Sequence, residues 1–514
     1  MITLPHSQRT SGILLHPTSL PGPHGIGDLG EVAYRWLDFL VTGKQQLWQI
    51  LPLGPPGYGE SPYAARSAFA GNPLLISLER LAADGLLDRN DLDAETGGAP
   101  DRVDWEAVAA FKEARLERAW QRFRGDSHPL RAAYQKFVEQ SARWLDDYAL
   151  FTALRTAHDG APWNTWARTL VQRDAGALMQ AREQFRAAIE RVSFIQFIFW
   201  RQWGALKQAA NALGIRIIGD IPIFVAHDSA DVWADQELFS LDEQRAASVV
   251  AGVPPDYFSP TGQRWGNPLY RWDRFEATGY HWWIERFRAA LASVDLVRMD
   301  HFRGFAAYWE VPGKEETALN GRWVKGPGTR FFQVLTAALG PLPIIVEDLG
   351  LITRSVRELR AALGYPGMKV LQFAFGDDAT NPYLPHNYAA NCCVYTGTHD
   401  NDTSEGWFAT LPEAQRANVT DYLGLGPERL SEKLIRVALA SVAEMAIFPL
   451  QDVLALGSGA RMNVPGQGTG NWSWRARAAQ IEPAHASWLG EQTALFGRVP
   501  LPDKEEDERS DTAY

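Results

Sequence analysis

Eight short apolar runs, rich in β-branched residues, recur along the chain, and segments with helical periodicity separate several of them. Strands that alternate with helices favour a parallel sheet. Eight strands that are apolar on both faces suit a closed (β/α)8 barrel, whereas an open doubly wound sheet more often has five to seven. We therefore predict an α/β fold, a (β/α)8 TIM barrel over residues 1–500. The predicted strands are Gly12–Leu15, Leu47–Leu51, Ile215–Ile223, Leu296–Met299, Ile344–Val346, Lys369–Phe375, Cys393–Tyr395 and Ala446–Leu450.

Two long intervals between predicted strands indicate large insertions on the barrel. Residues 54–214 contain amphipathic stretches such as Trp105–Arg124 and Leu130–Ala157, so we expect a mainly helical insertion between strands two and three. Residues 226–294 form the second insertion, and its segment 253–268 is rich in Pro, Gly and aromatic residues. Turn residues dominate that segment, which predicts an ordered surface loop. The acidic tail 502–514 is expected to fray.

Helix boundaries can also be predicted at one later position. Ser355 and Glu358 have the spacing of a capping box, and Gly364 is a suitable helix terminator. We therefore expect a helix that begins at Ser355 and ends near Gly364.

Charge and cysteine content narrow the class of protein. The 514 residues carry a formal charge of −11, which argues against a nucleic-acid partner that would need a basic surface. No apolar run reaches the roughly 18 residues of a membrane span, and the first residues lack a signal-peptide pattern. The two cysteines, Cys392 and Cys393, are adjacent and poorly placed to bridge each other, so we expect a reducing, cytoplasmic location.

Carboxylates follow the apolar runs at four of the eight predicted strands. Because catalytic groups of a TIM barrel project from the C-terminal ends of its strands, Asp220, Asp300, Glu347 and Asp400 are expected to converge. A single acid after a strand is usually a helix cap or a turn residue. Several acids at one barrel mouth raise each other's proton affinity, which acid/base chemistry uses and structure alone seldom needs.

The surroundings of these acids suggest different roles. Arg298 and Asp300 are two residues apart on a strand, so both side chains point to one face and the arginine would keep Asp300 ionised, as a nucleophile must be. The alternative is a buried salt bridge that only fixes the barrel. Glu347 leaves an apolar strand without an adjacent base and is the better candidate for a general acid. Such a pair is typical of retaining glycoside chemistry, in which Asp400 and His399 could bind sugar hydroxyls.

A metal centre is the competing hypothesis for the same residues. The histidines at positions 6, 16, 301 and 399 could join the acids as ligands. The chain has no His-x-His pair and no His-Glu-x-x-His helix, so we predict that no metal is bound.

The motifs of the chain resemble those of a known family, the 4-α-glucanotransferases. These are the amylomaltases or disproportionating enzymes of glycoside hydrolase family 77, in the α-amylase clan. The resemblance covers nearly the whole chain. Besides the acids of strands four and five, it rests on Gly12–Gly22, Ser61–Tyr63, Ala70–Pro73, Gly219–Val225, Pro254–Pro268, Gly397–Asp402, Arg461–Gly466 and Gly470–Trp472.

The resemblance implies a two-step retaining transfer of α-1,4-glucan segments to glucose or maltooligosaccharide acceptors, with cyclisation as a variant. Asp300 would be the nucleophile, Glu347 the general acid/base and Asp400 the transition-state stabiliser. The implied substrate-binding residues are Arg298, His399, Asp220, Tyr63, Tyr257, Phe258, Gln263, Trp265 and Asn471.

The family also implies no metal, no organic cofactor and no separate C-terminal β-sandwich domain. Met299 stands where a branched aliphatic residue is expected, a change that should alter packing only. The motifs leave the oligomeric state open.

Three alternatives remain at the level of sequence. An α-1,4-glucan hydrolase of the same clan shares the first chemical step and differs in whether water resolves the intermediate. A catalytically silent glucan-binding protein would keep the aromatic residues, and the chain's 20 Trp suit sugar rings as well as cores. A metal-dependent barrel hydrolase would be sensitive to chelators.

Overall fold

Twelve strands form two sheets in the computed structural model, which describes residues 9–93, 98–125, 128–255 and 259–499. Eight of them close into a parallel barrel in the order β1-β2-β3-β6-β9-β10-β11-β12, and β12 pairs with β1. The predicted (β/α)8 barrel is therefore confirmed. In chain order the strands are β1 (Thr10–Leu14), β2 (Leu47–Gln49), β3 (Arg216–Ile221), β4 (Val249–Val253), β5 (Gln263–Pro268), β6 (Leu296–Met299), β7 (Ala307–Pro312), β8 (Arg322–Lys325), β9 (Ile344–Val346), β10 (Gly367–Val370), β11 (Cys392–Tyr395) and β12 (Met445–Pro449).

The barrel strands follow the eight predicted apolar runs, because nearly every residue in them is buried whichever face it points to. Their ends differ by a few residues. β10 stops at Val370, where the chain turns into a 3-10 helix over Leu371–Phe373. β12 stops at Pro449, and Leu450 already begins a helix.

Seventeen α-helices lie in the described part of the chain. They are α1 (Glu31–Thr42), α2 (Leu78–Ala83), α3 (Trp105–Phe123), α4 (Arg131–Ala157), α5 (Arg168–Val171), α6 (Ala175–Gln184), α7 (Arg186–Ala212), α8 (Ala230–Ala234), α9 (Trp272–Ala277), α10 (His281–Ser293), α11 (Gly328–Leu339), α12 (Arg354–Leu363), α13 (Ser404–Thr410), α14 (Glu413–Leu423), α15 (Leu430–Ala440), α16 (Leu450–Val453) and α17 (Pro483–Leu495). No helix among the described residues is long and apolar enough to cross a membrane.

The interval between β2 and β3 holds the helices α2 to α7. Helices α3 and α4 cover the two amphipathic stretches singled out from the sequence. Helix α7 packs along α4 and then leads into β3. Aromatic side chains between α3 and α7, including Phe123, Phe194 and Phe197, are buried in the same hydrophobic core as the barrel strands. The insertion therefore packs as an extension of the barrel core.

A second, antiparallel sheet has the strand order β5-β4-β7-β8, and the sequence did not reveal it. The surface loop expected over 253–268 is wrong for its last part, because residues Gln263–Pro268 pair with β4 as strand β5. β5 is an edge strand, and an edge tolerates a terminal proline that a central strand would not. The pairing partners come from distant parts of the chain, so local turn composition hid the strand. Tyr257 and Phe258 lie outside the described residues.

The capping prediction for α12 is half correct. The helix ends at Gly364, which has φ +69° and terminates it in the left-handed conformation. At the other end Thr353 is the N-cap residue, so Ser355 lies inside the first turn. The hydroxyls of Thr353 and Ser355 are 2.9 Å apart and bond to each other, which leaves the predicted capping box unformed.

Candidate active site

Four barrel strands carry the acids predicted from the sequence, and they bring them to one end of the barrel. Asp220 lies inside β3, and the register of the sheet sets it beside Arg298 of β6. Asp300 follows β6, Glu347 follows β9, and Asp400 lies in the loop after β11. Because all eight strands are parallel, these residues share the C-terminal mouth of the barrel.

Arg298 connects two of the acids. Its Nη1 atom donates to Oδ2 of Asp220 over 2.6 Å and to Oδ1 of Asp300 over 2.9 Å. The arginine side chain and that of Asp220 are buried, whereas the Asp300 carboxyl group is 28% exposed at the mouth. Burial lowers the pKa of Arg298, but the two carboxylates outweigh it and raise that pKa well above its ordinary value. The guanidinium is therefore a permanent positive charge behind Asp300.

For Asp220, the effect of burial on the pKa outweighs the effect of the neighbouring charge. Burial raises the pKa of Asp220 to about 7, although Arg298 and the hydroxyl of Tyr63 stabilise its ionised form. Tyr63 donates to the Oδ2 atom over 2.8 Å, and the Oδ1 atom is buried without a partner in the described structure. A buried acceptor of this kind is available to a hydroxyl group of a ligand.

Glu347 is held by backbone amides. Its Oε2 atom accepts from the N–H of His301 over 2.8 Å, and its Oε1 atom accepts from the N–H of Leu349 over 3.0 Å. Although the residue keeps part of its surface open to the mouth, desolvation raises the pKa of Glu347 to about 8, and the negative charge of Asp300 adds to the shift. The side chain is thus protonated near neutral pH, as a general acid needs to be.

Tyr63, His399 and Trp472 form an aromatic wall beside Asp220. The rings of Tyr63 and His399 are stacked with centroids 5.0 Å apart, and Trp472 lies 5.7 Å from Tyr63. Burial lowers the pKa of His399, despite the nearby charge of Asp400, so the imidazole is neutral near pH 7. A neutral, buried ring beside a carboxylate suits an uncharged polar ligand such as a sugar.

Asp400 is held in place by two residues, Arg461 and Asn463, that were not predicted to belong to the site. Asn463 Nδ2 donates to Asp400 Oδ1 over 2.6 Å, and Arg461 Nη2 donates to the Asp400 carbonyl over 2.7 Å. Both residues belong to the motif Arg461–Gly466, which was a signal available in the sequence.

Asp452 anchors both ends of the loop that carries His399 and Asp400. Its buried carboxylate accepts from Thr396 Oγ1 over 2.5 Å and from the Ser404 backbone N–H over 2.8 Å. It also accepts from the Ser404 hydroxyl over 2.7 Å. Nothing in the sequence pattern marked this residue.

The second sheet contributes Gln263 and Trp265 through β5. The Trp265 ring is 39% exposed and meets His301 edge to face, with centroids 4.7 Å apart. Its Nε1 atom donates to Gln263 Oε1 over 3.2 Å. His301 follows Asp300 directly and has φ +48°, a strained conformation for a non-glycine residue of the kind found at functional sites. Trp265 therefore contacts the residue next to Asp300 in the chain.

The side chain of Asn471 forms hydrogen bonds with the backbone of its own loop. Its Oδ1 accepts from the N–H of Val464, and its Nδ2 donates to the carbonyls of Val464 and Gln467. This predicted binding residue therefore shapes the segment 464–471.

The described residues contain no group of three or more His, Cys, Asp or Glu side chains arranged to hold a metal ion. Two of the histidines considered as metal ligands, His16 and His301, are buried. Burial lowers the pKa of His16 to about 3 and that of His301 to about 3, so both imidazoles are neutral. His6 lies outside the described residues.

The chain is similar to known proteins along nearly its whole length. Residues 15–480 match the family model described as 4-alpha-glucanotransferase. A 4-alpha-glucanotransferase of Thermus thermophilus is 51% identical over 490 residues, which cover 94% of this chain and 97% of the relative. One from Synechocystis sp. is 50% identical over 496 residues, covering 96% and 98% of the two chains. The structure of an amylomaltase from Streptococcus agalactiae in complex with acarbose superposes with a TM-score of 0.93 at 38% identity, covering 96% and 100%.

Proposed function

Because the chain belongs to the 4-α-glucanotransferase family, we propose that its barrel mouth transfers α-1,4-glucan segments by a retaining double displacement. The enzyme is a glycosyltransferase acting on α-1,4-glucans, and the comparisons favour transfer over hydrolysis. The observation that carries the mechanism is the contrast between two acids at the mouth. Asp300 pairs with the permanent charge of Arg298, whereas desolvation raises the pKa of Glu347 to about 8.

In the first step an Asp300 oxygen attacks the anomeric carbon, and the bond between that carbon and the glycosidic oxygen breaks. Glu347 gives its proton to the leaving oxygen, so the displaced glucan departs as a neutral alcohol. In the second step the Glu347 carboxylate takes the proton of an acceptor hydroxyl, which attacks the anomeric carbon and releases Asp300. The two inversions retain the α configuration, and Glu347 ends protonated again.

Positive charge develops at the sugar ring in both transition states. Asp400 would stabilise it, since its carboxylate is 47% exposed to the mouth. Arg298, Asp220, His399 and Tyr63 would hold the sugar bonded to Asp300. The unpartnered Oδ1 of Asp220 supplies an acceptor for one of its hydroxyls.

The acceptor side would be formed by Gln263 and Trp265 of β5, together with Tyr257, Phe258 and the loop shaped by Asn471. Flat aromatic rings suit the apolar faces of glucose. Since a relative was solved with acarbose, we expect acarbose to bind at this mouth and to inhibit transfer.

Product analysis with maltotriose and no added metal tests the proposal. A ladder of longer maltooligosaccharides plus glucose, lost in Asp300→Asn, is the expected result. If only glucose and maltose form, the protein is a hydrolase. If maltotriose is not converted at all, the hypothesis of a catalytically silent glucan-binding protein is favoured. Activity that falls with a chelator would indicate the metal-dependent alternative. Amylose as substrate would show whether a segment can also close on itself into a ring.

The location of the enzyme is a separate proposal. Both cysteines are free and buried, which suits a reducing compartment such as the cytoplasm. Cell fractionation followed by an activity assay would test this, and activity confined to an oxidising compartment would contradict it.

A further inference from the structure

Three acids at the mouth, Asp220, Asp300 and Asp400, contact another side chain, and Asp400 is the most exposed of the three. Its orientation depends on contacts from other segments. Its side chain is 47% exposed and lies in a loop. Oδ2 is 3.4 Å from His399 Nε2, a longer contact to a neutral ring. Oδ1 receives the short bond from Asn463 Nδ2, at 2.6 Å. The asparagine amide is therefore the group that sets the rotation of this carboxylate.

Asn463 is itself held in place by the chain around it. Its carbonyl accepts from Arg461 Nε over 2.7 Å. On one side the Met462 carbonyl accepts from the N–H of Trp472 over 2.8 Å, and on the other the N–H of Val464 donates to Asn471 over 2.9 Å. These bonds close the segment 462–472 into a ring. The amide that reaches Asp400 is consequently placed before any ligand arrives.

The chemistry favours a neutral donor at this point. An amide N–H stabilises a carboxylate by a hydrogen bond and adds no net charge. A cation bonded to the same oxygen would offset the negative charge that Asp400 offers to an electron-poor sugar ring. The nearby cation, Arg461, bonds to the backbone carbonyl of Asp400 and to that of Asn463.

We propose that Asn463 is a positioning residue for Asp400, whose carboxylate it orients through a single neutral hydrogen bond. The inference rests on the proposed function, because it assigns Asp400 a part in the transfer reaction. It extends the site to a residue that acts through Asp400 and does not itself need to touch the glucan.

Two variants at this position separate an electrostatic role from a packing role. Asn463→Ala removes the donor, and Asn463→Asp keeps the shape but replaces the donor with a second carboxylate. We expect Asn463→Ala to lower kcat about 10- to 100-fold with little change in KM, by analogy with the loss of an outer hydrogen-bond partner that orients a functional side chain. Asn463→Asp should be worse than Asn463→Ala, since like charges repel. A residue that only fills space would give the reverse order.

Asn391→Asp is the matched control for the added charge. Asn391 is exposed and lies just before β11, at the opposite end of the barrel from the mouth. It should keep the kcat of the unaltered enzyme. Thermal unfolding midpoints show whether each variant is folded. If Asn463→Ala does not fold, the isosteric Asn463→Asp carries the comparison with the unaltered enzyme.

A double-mutant cycle with Asp400→Asn completes the test. If Asn463 acts through Asp400, then Asn463→Ala should change kcat less than about threefold in the Asp400→Asn background. The same loss in both backgrounds, or a folded Asn463→Asp with unaltered kcat, would overturn the proposal. Unaltered kcat in Asp400→Asn alone would instead show that the proposed role of Asp400 is wrong.

Discussion

At the scale of single residues, the mouth places one buried arginine among several carboxyl groups, and its hydrogen bonds are shared unequally between them. Arg298 serves two of them, Asp220 and Asp300, and Glu347 has only backbone N–H groups as hydrogen-bond partners among the described residues. Desolvation therefore acts on Glu347 without a bonded cation, and it raises the pKa to about 8. The two steps of a double displacement need such a group to give and take one proton.

The first prediction concerns the pH dependence of transfer. A general acid must be protonated in the free enzyme, so kcat/KM for maltotriose should fall as pH rises through about 8. Glu347→Gln should lower kcat/KM by about 10²- to 10⁴-fold and abolish that alkaline limb. Because the acids at the mouth titrate together, the variant assigns the limb to Glu347. Glu358→Gln on the exposed face of α12 is the control, and an alkaline limb that persists in Glu347→Gln would contradict the assignment.

The sequence predicted the four acids because three of them follow an apolar run and Asp220 lies near the end of one, and parallel strands bring such positions together. It did not predict Asn463 or Asp452, since their contacts join segments that are far apart in the chain. Asn463 bonds to a residue 63 positions away, and Asp452 to one 56 positions away. Local composition carries no signal for contacts of this range. The motif Arg461–Gly466 includes Asn463, but no motif includes Asp452.

At the scale of elements, burial on both faces is what made the eight barrel strands visible in the sequence. Strand β5 shows the opposite case, because its residues Gln263 to Asn267 are partly or fully exposed and include Gly266 with φ +83°. The segment forms a strand because it pairs with β4, and its composition alone does not predict this. This edge strand presents Trp265 to His301, next to Asp300.

The second prediction concerns Trp265 and the choice between sugar and water. Trp265→Ala removes a ring that can stack on an acceptor and opens the mouth to solvent, so the ratio of transfer to hydrolysis should fall. Longer oligosaccharides and free glucose from maltotriose measure it. Trp323→Ala on β8 of the same sheet is the matched control, because its ring is 40% exposed and contacts Trp309 and Arg303. An unchanged ratio of transfer to hydrolysis in Trp265→Ala would contradict the proposal that this ring binds the acceptor.

The third prediction concerns the end of helix α15. Arg498 is fully buried and donates to the carbonyls of Ala438, Leu439, Ser441, Ala443 and Thr10. It thus caps α15 and joins it to β1 with no carboxylate hydrogen-bonded to it among the described residues. Arg498→Met removes all of these hydrogen bonds, although Arg9 Nη1 still donates to the carbonyls of Leu439 and Ser441. The variant should lower the free energy of unfolding by about 3 kcal/mol. Urea unfolding measures the loss, and kcat at 25 °C should be unchanged.

A second arginine serves as the control for that variant. Arg477 is half exposed and forms its ion pair with Asp101 at the surface, so Arg477→Met should change stability little. Equal losses in the two variants would contradict a special role for Arg498.

At the scale of the whole molecule, one buried ion pair ties the helical insertion to the barrel. Lys112 of α3 donates to Asp28 over 3.1 Å and to the Ile76 carbonyl over 2.8 Å. Asp28 lies between β1 and α1, and its other oxygen accepts from the Gly30 N–H over 3.0 Å. Both charged side chains are almost completely buried. The insertion, the first barrel loop and the segment before α2 therefore meet at one lysine.

The fourth prediction follows from the cost of an unpaired buried charge. Lys112→Met leaves the Asp28 carboxylate without its cation and should lower the free energy of unfolding by about 3–5 kcal/mol at pH 8. Desolvation already raises the pKa of Asp28, and losing Lys112 removes an opposing influence. Asp28 then binds its proton more tightly in the folded state than in the unfolded state, so the variant loses stability as pH rises above about 4. Urea unfolding of Lys112→Met should accordingly show a smaller loss at pH 5 than at pH 8.

The double variant Lys112→Met with Asp28→Asn separates this charge effect from lost packing. With no carboxyl group left to ionise at position 28, the extra loss between pH 5 and pH 8 should disappear, and part of the stability at pH 8 should return. Lys433→Met, at a partly exposed pair with Glu428, should be nearly neutral at both pH values. If the double variant kept the pH dependence of Lys112→Met, the ionisation of Asp28 would not be its source, and the junction would be stabilised by the shape of Lys112 alone.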